Sequence, residues 1–437
     1  MNILMAKKVN VENLKKSAVF WANSFDVCCV LDSNESIHAM GLGDYEFIVA
    51  AGVKEEIIGK GKNTWDRLKD FTKNEHAISE NSNFTFGFFT YDLKNEIEKL
   101  ESLHDDKIQF PSTYFFRPKH LLLIDKKLNI KIVSDEENLI DKIVQTSIPK
   151  FTNSATQLKQ KTSKEIYLKN VESIKQQIIE GDVYELNYCV EFFDENANIN
   201  PALTYLKLKE ESPTPFAAYF KLHQKYLMCA SPERFLKKRG NKIYSQPIKG
   251  TAKRSENKDE DLNLKNELLN SEKERAENLM IVDLVRNDLA KSAKTGTVKA
   301  DELFGIYSFK HVHQMISTIS AELKNNMHEI DIIKNAFPMG SMTGAPKIMA
   351  MKLIEKYEQS KRGLYSGAVG YFSPDGDFDF NVVIRSIQYN AENNYLNFEV
   401  GSAITFDSDA ENEYAECLLK SKAIMDVLNV SEIISYN

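Results

Sequence analysis

The chain has 437 residues, a formal net charge of −7, and 42% hydrophobic and 10% aromatic content. That length predicts two or three domains with ample core, and the acidic balance argues against general nucleic-acid affinity, which needs a basic face. No run of about 18 apolar residues suggests a membrane-spanning helix, and the first sixteen residues carry no secretory pattern, so a soluble, cytoplasmic protein with no membrane partner is expected.

Five cysteines (Cys28, Cys29, Cys189, Cys229, Cys417) are scattered without a CxxC pair, so neither a disulfide framework nor a structural zinc is expected. From residue 1 to about 150, short β-like runs recur at 26–31, 47–50, 84–89 and 120–124, interrupted by a polar, helix-prone segment at 93–102. Gly41-Leu42-Gly43 lacks a third glycine and an evident βαβ setting, so it carries little weight as a dinucleotide loop. The stretch from Pro149 to Ser163, rich in Lys, Gln, Thr and Ser, is the best linker candidate.

A helical pattern resumes at Glu165, with Tyr167, Val171, Ile174 and Ile178 on one face, and stops at Gly181-Asp182. Val183 to Phe192 reads as a strand on which Glu185 and Asn187 share a face. A second strand, 226–230, leads into Ser231-Pro232-Glu233, and then comes Tyr244-Ser245-Gln246-Pro247-Ile248-Lys249-Gly250-Thr251, which sets one lysine between an apolar run and a Gly-Thr turn. Residues 254–275 are dense in charge. Alternating strands and helices follow to about residue 430, including two antiparallel-looking strands around 365–405, so the architecture is read as α+β.

Four carboxylates stand out. Glu274 and Glu277 are three apart on a helix-like stretch, and Glu413 and Glu416 repeat that spacing near the C-terminus, with Lys420 one turn further on. Each pair alone also fits salt-bridged helix surface; on facing buried helices they would repel unless a cation lay between them. Hard oxygen donors without cysteine or paired histidine point to magnesium rather than zinc. The Gly/Thr-rich loop 338–347, containing Thr343, precedes an amphipathic helix and could bring backbone N–H groups to an anion. Arg385 follows an apolar strand and suits a carboxylate partner, and Gly401-Ser402-Ala403 offers another backbone cradle. His311 and His313 could share a strand face as a zinc pair, but no third ligand is evident. No Ser/His/Asp arrangement is evident either.

Taken together, the blocks SPERF (231–235), PIKGT (247–251), RAENLMIVDLVRNDL (275–289), GSMTGAPK (340–347), GAVGYFSPDGDFDFNVVIRS (367–386) and DSDAENEYAE (407–416) resemble the chorismate-utilising enzymes. That group holds anthranilate synthase component I, aminodeoxychorismate synthase component I, and the isochorismate and salicylate synthases. The resemblance implies a chorismate-binding fold, a β-sheet sandwich flanked by helices, with an N-terminal region over 1–155 and a catalytic region over 156–437. Within the family, Lys249 in PIKGT resembles the aminodeoxychorismate synthases, because anthranilate synthases typically read PIAGT. Anthranilate synthase component I is the alternative, followed by an isochorismate synthase or an inactive chorismate-fold binding protein.

The implied reaction replaces the C4 hydroxyl of chorismate with an amino group, on the folate route. Ammonia would come from a separate glutamine amidotransferase subunit. By the same resemblance Lys249 is the nucleophile and Glu233 the general acid/base. Mg²⁺ is held by Glu277 and Glu416, with Glu274 and Glu413 helping. Gly250, Thr251, Thr343 and Lys420 lie at the ring side of the substrate, and Arg385, Tyr365 and the amides of Gly401, Ser402 and Ala403 at the enolpyruvyl carboxylate.

Four positions depart from the pattern. Glu185 stands where amine-transferring members usually carry glutamine and the isochorismate and salicylate synthases a lysine base. Gln314 stands where the family often has a histidine, so either His313 takes that role by a local shift or the histidine is dispensable. Ala403 replaces a usual glycine. Val30-Leu31-Asp32-Ser33 replaces the Leu-Leu-Glu-Ser block tied to tryptophan feedback.

Overall fold

Alternation of side chains along the strands dictates the layering. In the strand Val27–Asp32, Val27 and Cys29 enter one apolar cluster while Cys28 and Val30 enter another. In Thr113–Asp125, Tyr114, Phe116, Leu121 and Leu123 join the first cluster and Leu122 and Ile124 the second. Successive strand residues point to opposite faces, so these strands are apolar on both faces and must be covered on both. The shared cluster is the interior of a β-sandwich. The outer faces are closed by helices: Val11–Asn23, Lys164–Ile179, Pro201–Glu211 and Ala410–Val427 on one side, and Thr64–Thr72, Glu272–Ala290 and Glu329–Ala336 on the other. The fold is the expected α+β sandwich flanked by helices.

The computed structural model describes residues 3–4, 10–36, 41–59, 61–73, 83–150, 156–430 and 433–435. Among them 21 strands join one hydrogen-bonded network, nearly all of it antiparallel. The boundary predicted at 155 abuts residues 151–155, outside the described ones. Strands from either side of it pair directly: Val27–Asp32 with Phe216–Leu222, and Thr85–Phe89 with Ala368–Phe372.

Three local expectations are corrected. The helix-prone segment 93–102 is a 3₁₀ turn, Tyr91–Glu96, followed by irregular chain. Lys94 buries its stem and donates to Asn95 and Ser102 at 2.9 Å each, which folds the segment back on itself. The linker candidate 149–163 contains a strand, Leu158–Gln160, paired to Glu185–Asp194, because Leu158 is fully buried. The two strands foreseen around 365–405 are four: Ala368–Phe372, Phe378–Asn381, Ser386–Asn390 and Tyr395–Ile404.

Candidate active site

Lys249 owes its direction to a β-bulge. The strand Ile248–Lys253 pairs with Val312–Glu322, with Ile248 opposite Ile316 but Thr251 opposite Gln314, so one residue too many lies between the two pairs. Such a bulge bends the strand and re-aims a side chain. Gly250 supplies the backbone it needs, at φ +87°, and a Cβ there would also press on the Glu274 carboxylate at 3.0 Å. Lys249 is thereby turned into a cavity of about 470 Å³.

That cavity gathers thirteen of the fifteen predicted site residues. Lys249, Glu233, Gly250, Thr251, Tyr365, Arg385, Gly401, Ala403, Lys420, Glu274, Glu277, Glu413 and Glu416 all line it. They come from the bulged strand, the turn after Lys225–Ser231, the helices Glu272–Ala290 and Ala410–Val427, the strand Tyr395–Ile404, the turn before Ala368–Phe372 (Tyr365) and the connection before Ser386–Asn390 (Arg385). The one-turn spacing within each glutamate pair places both carboxylates of that pair on the cavity side of its helix.

Two residues do not line it. Thr343 is fully buried, and its hydroxyl donates to the carbonyls of Met339 and Gly340 at 3.2 Å each, tying off the loop. Ser402 alternates with Gly401 and Ala403, so its hydroxyl faces the helix layer, 3.2 Å from the Tyr167 hydroxyl. Thr343 therefore anchors the loop 340–347, while Ser341 and Met342 of the same loop line the cavity. Lys347 reaches back to Asp288 at 2.6 Å and to the Pro338 carbonyl at 2.8 Å. At Gly344 a Cβ would lie 2.1 Å from the Glu185 carbonyl, so only glycine lets the loop pair against Glu185–Asp194.

Electrostatics assign different characters to the ionisable groups. Burial pushes the Glu233 carboxyl up to about 7, although the neighbouring Ser341 hydroxyl and the Lys249 ammonium work the other way. A carboxyl poised there can give or take a proton at neutral pH. Lys249 Nζ donates to Glu185 Oε1 at 2.9 Å. Burial acts to lower the Lys249 pKa, but the Glu185 and Glu277 carboxylates outweigh it and hold the ammonium above its ordinary range. Arg385 is half-buried at φ +52°; its guanidinium donates to the Lys420 carbonyl at 3.1 Å and forms no ion pair among the described residues, so its charge favours an incoming anion. Lys420 donates to the Gly401 carbonyl at 2.9 Å and pairs with Glu416.

For the expected magnesium the donor set is chemically apt. All four groups are hard carboxylate oxygens facing one space. Glu274 and Glu277 are raised above the usual carboxylate range, first by burial and then by neighbouring carboxylates as well, the conflict that a divalent cation relieves. Among the described residues no three metal-ligating side chains are already drawn together in coordination geometry, so the two helices present the donors without closing them.

The histidine question is resolved by strand alternation. Gln314 lines the cavity, with its Oε1 buried and unpartnered. His313 faces the other way, 3.0 Å from Asp261 and 2.8 Å from the Ser308 hydroxyl. A local shift that would let His313 substitute does not occur, and both of its ring nitrogens are already engaged, by Ser308 and Asp261. Sequence reasoning saw no Ser/His/Asp grouping, yet Ser308, His313 and Asp261 are in contact. Asp261 is also held by Arg254 at 2.8 Å, which makes the group a clamp between sheet and helix.

Several lining residues went unforeseen: Asn187, Ser341, Met342 and Glu399. Period-two alternation could have found two of them, since Asn187 shares a face with Glu185, and Glu399 with Gly401 and Ala403. A separate small cavity, about 70 Å³, lies over Leu31, Asp32 and Ser33. There Asp32 is engaged by Lys15 at 3.0 Å and Lys209 at 2.7 Å.

The sandwich and this carboxylate-and-lysine cavity together define a chorismate-binding enzyme. The chorismate-binding enzyme family matches residues 26–426, and the chain belongs to that family. Among its relatives, "Aminodeoxychorismate synthase component 1" of Bacillus subtilis (strain 168) is 32% identical over 381 residues, covering 83% of this chain and 80% of that protein. "Anthranilate synthase component 1" of Saccharolobus solfataricus is 33% identical over 344 residues, covering 79% and 80%. The crystal structure of anthranilate synthase component I from Streptococcus pneumoniae TIGR4 superposes with a TM-score of 0.75 at 26% identity, covering 87% of this chain and 92% of that one.

Proposed function

We propose that this chain aminates chorismate at C4, giving 4-amino-4-deoxychorismate, with ammonia delivered by a glutamine amidotransferase partner. The observation that carries the reading is Lys249, turned by the bulge into the same cavity as Glu233, a carboxyl poised at about 7. The name of the Bacillus subtilis relative supports it. The anthranilate synthase relatives are of similar identity, and what favours amination at C4 over their reaction is the lysine in PIKGT.

Neutral Lys249 attacks C2, the ring electrons shift, and the C4–O bond breaks as Glu233 protonates the departing hydroxyl to water. Ammonia then adds at C4, the electrons shift back, and the C2–N bond breaks to return Lys249 as an amine. Glu233 accepts the surplus proton from the new ammonium. Arg385 and Tyr365 orient the enolpyruvyl carboxylate, and Lys420 stands at the other end beside Gly401. Glu277 and Glu416, with Glu274 and Glu413, would hold Mg²⁺, which would supply charge neutralisation for the ring carboxylate.

Incubating the chain with chorismate, Mg²⁺ and ammonium tests the reading by product analysis. Aminodeoxychorismate is expected. Anthranilate appearing without an added lyase assigns the chain to the other branch, and isochorismate overturns both.

A further inference from the structure

Lys249 must be neutral to attack, yet it rests as an ammonium in the cavity wall. The group that touches it is Glu185. This carboxylate is 1% exposed and sits at the start of the strand Glu185–Asp194, whose edge is clamped by the loop at Gly344-Ala345. One oxygen, Oε1, accepts from Lys249 Nζ at 2.9 Å. The other, Oε2, is buried with no hydrogen-bond partner.

Lys249 is thus the one side-chain hydrogen-bond donor to this carboxylate among the described residues. Burial also disfavours keeping two full charges apart from water, which narrows the gap between the ion pair and the neutral acid–amine pair. A proton passing from Nζ to Oε1 crosses an existing hydrogen bond and needs neither water nor side-chain movement. No other carboxylate among the described residues makes a hydrogen bond to Lys249; Glu277 and Glu416 act on it only through space.

We infer that Glu185 is the proton acceptor that converts Lys249 into its nucleophilic form. The inference rests on the reading of Lys249 as nucleophile given above. The proton leaves Nζ for the Glu185 carboxylate, the freed lone pair forms the bond to C2, and the C4 hydroxyl departs with the proton of Glu233. When ammonia expels the lysine as a neutral amine, Glu185 returns its proton and the ion pair re-forms. A chain with a neutral amide at this position would have to lose the lysine proton to solvent instead.

The test is the rate at which chorismate, with Mg²⁺ and without ammonium, adds covalently to Lys249, followed by intact-protein mass. The charged groups around Nζ are Glu185 on its strand, Glu274 and Glu277 on the helix Glu272–Ala290, Glu416 on the helix Ala410–Val427, and Glu233; only Glu185 is changed. Glu185→Gln is expected to slow adduct formation about tenfold or more at pH 7. Its rate should climb about tenfold per pH unit toward that of the wild type, as solvent takes over the deprotonation. Glu185→Asp, which keeps a carboxylate but withdraws it from Nζ, should give a smaller slowing and carries the comparison if the glutamine variant does not fold. Equal or faster adduct formation in both variants overturns the role of Glu185 while leaving Lys249 as nucleophile. No adduct in the wild-type chain overturns the nucleophile reading itself, and this inference with it.

Discussion

His313 and Gln314 are neighbours in sequence and face opposite sides of one strand: the imidazole closes a clamp to Asp261 and Ser308, and the amide enters the cavity with an unpartnered oxygen. The two positions therefore separate stability from chemistry. His313→Ala removes two hydrogen bonds, one of them to a carboxylate, and should cost about 1–3 kcal/mol with turnover kept. Gln314→Ala should leave the melting temperature nearly unchanged while lowering kcat/KM. Thermal unfolding beside steady-state assays of both variants checks this; a catalytic defect in His313→Ala larger than in Gln314→Ala would reverse the assignment.

Glu233 makes a prediction with a sign. Its folded-state pKa is raised to about 7 from an unfolded value near 4.3, so between those limits the folded chain binds more protons than the unfolded one. Stability from this group falls as pH rises through that window and levels off above about 7. Glu233→Gln abolishes the general acid but removes the burial penalty, so it should inactivate the enzyme and stabilise it at pH 8. The gain is at most about 3–4 kcal/mol, at about 1.36 kcal/mol for each pH unit between the unfolded and folded values, and should vanish near pH 4. Melting temperatures of both proteins across pH 4–8 decide it; a constant offset would show that Glu233 is not buried as a raised carboxyl.

Lys249 and Glu185 form a buried pair, and removing one partner strands the other. Lys249→Ala should abolish turnover and destabilise the fold by about 3–5 kcal/mol, while chorismate binding persists. Adding Glu185→Gln to that variant should recover most of the stability and none of the activity. Denaturant unfolding of the two single variants and the double variant forms the cycle. Additive losses would mean that the two groups are not coupled.

The sequence made the motif blocks and the site's inventory legible, since Lys249, Glu233, Arg385 and the two glutamate pairs fall in short stretches whose residue types suit an anion and a hard cation. Strand alternation turns the Ser402 hydroxyl away from the cavity that Gly401 and Ala403 line, which concerns its side chain and not the backbone amide that the resemblance assigns to the substrate. Thr343 is kept out of the cavity because it spends its hydroxyl on its own loop. The contact between Lys249 and Glu185 spans 64 residues. It depends on the bulge at Gly250 and on the close approach at Gly344, and neither the extra residue nor the partner strand can be read from PIKGT. The helix expected at 93–102 failed because Lys94 and its polar neighbours satisfy one another locally, an alternative that helix propensity does not weigh.

The glutamate pairs bear on the metal. Glu274 and Glu277 are raised by burial and by nearby carboxylates, and Glu416 is held below its ordinary range, against burial, by Lys420. A divalent cation in the cavity exchanges that repulsion for coordination and binds the folded chain alone, so it stabilises by RT ln(1 + [L]/Kd), about 2.7 kcal/mol at a hundredfold excess over Kd. Adding Mg²⁺ to the wild-type chain without substrate should therefore raise its melting temperature in a saturable way. Glu277→Gln combined with Glu416→Gln should abolish that rise. Without metal the two changes act in opposite directions, since Glu277→Gln removes like-charge repulsion while Glu416→Gln gives up the pair with Lys420, so the readout is the Mg²⁺-dependent shift within each protein. A wild-type melting temperature indifferent to Mg²⁺, or a double variant that still responds to it, would remove these carboxylates as the magnesium site.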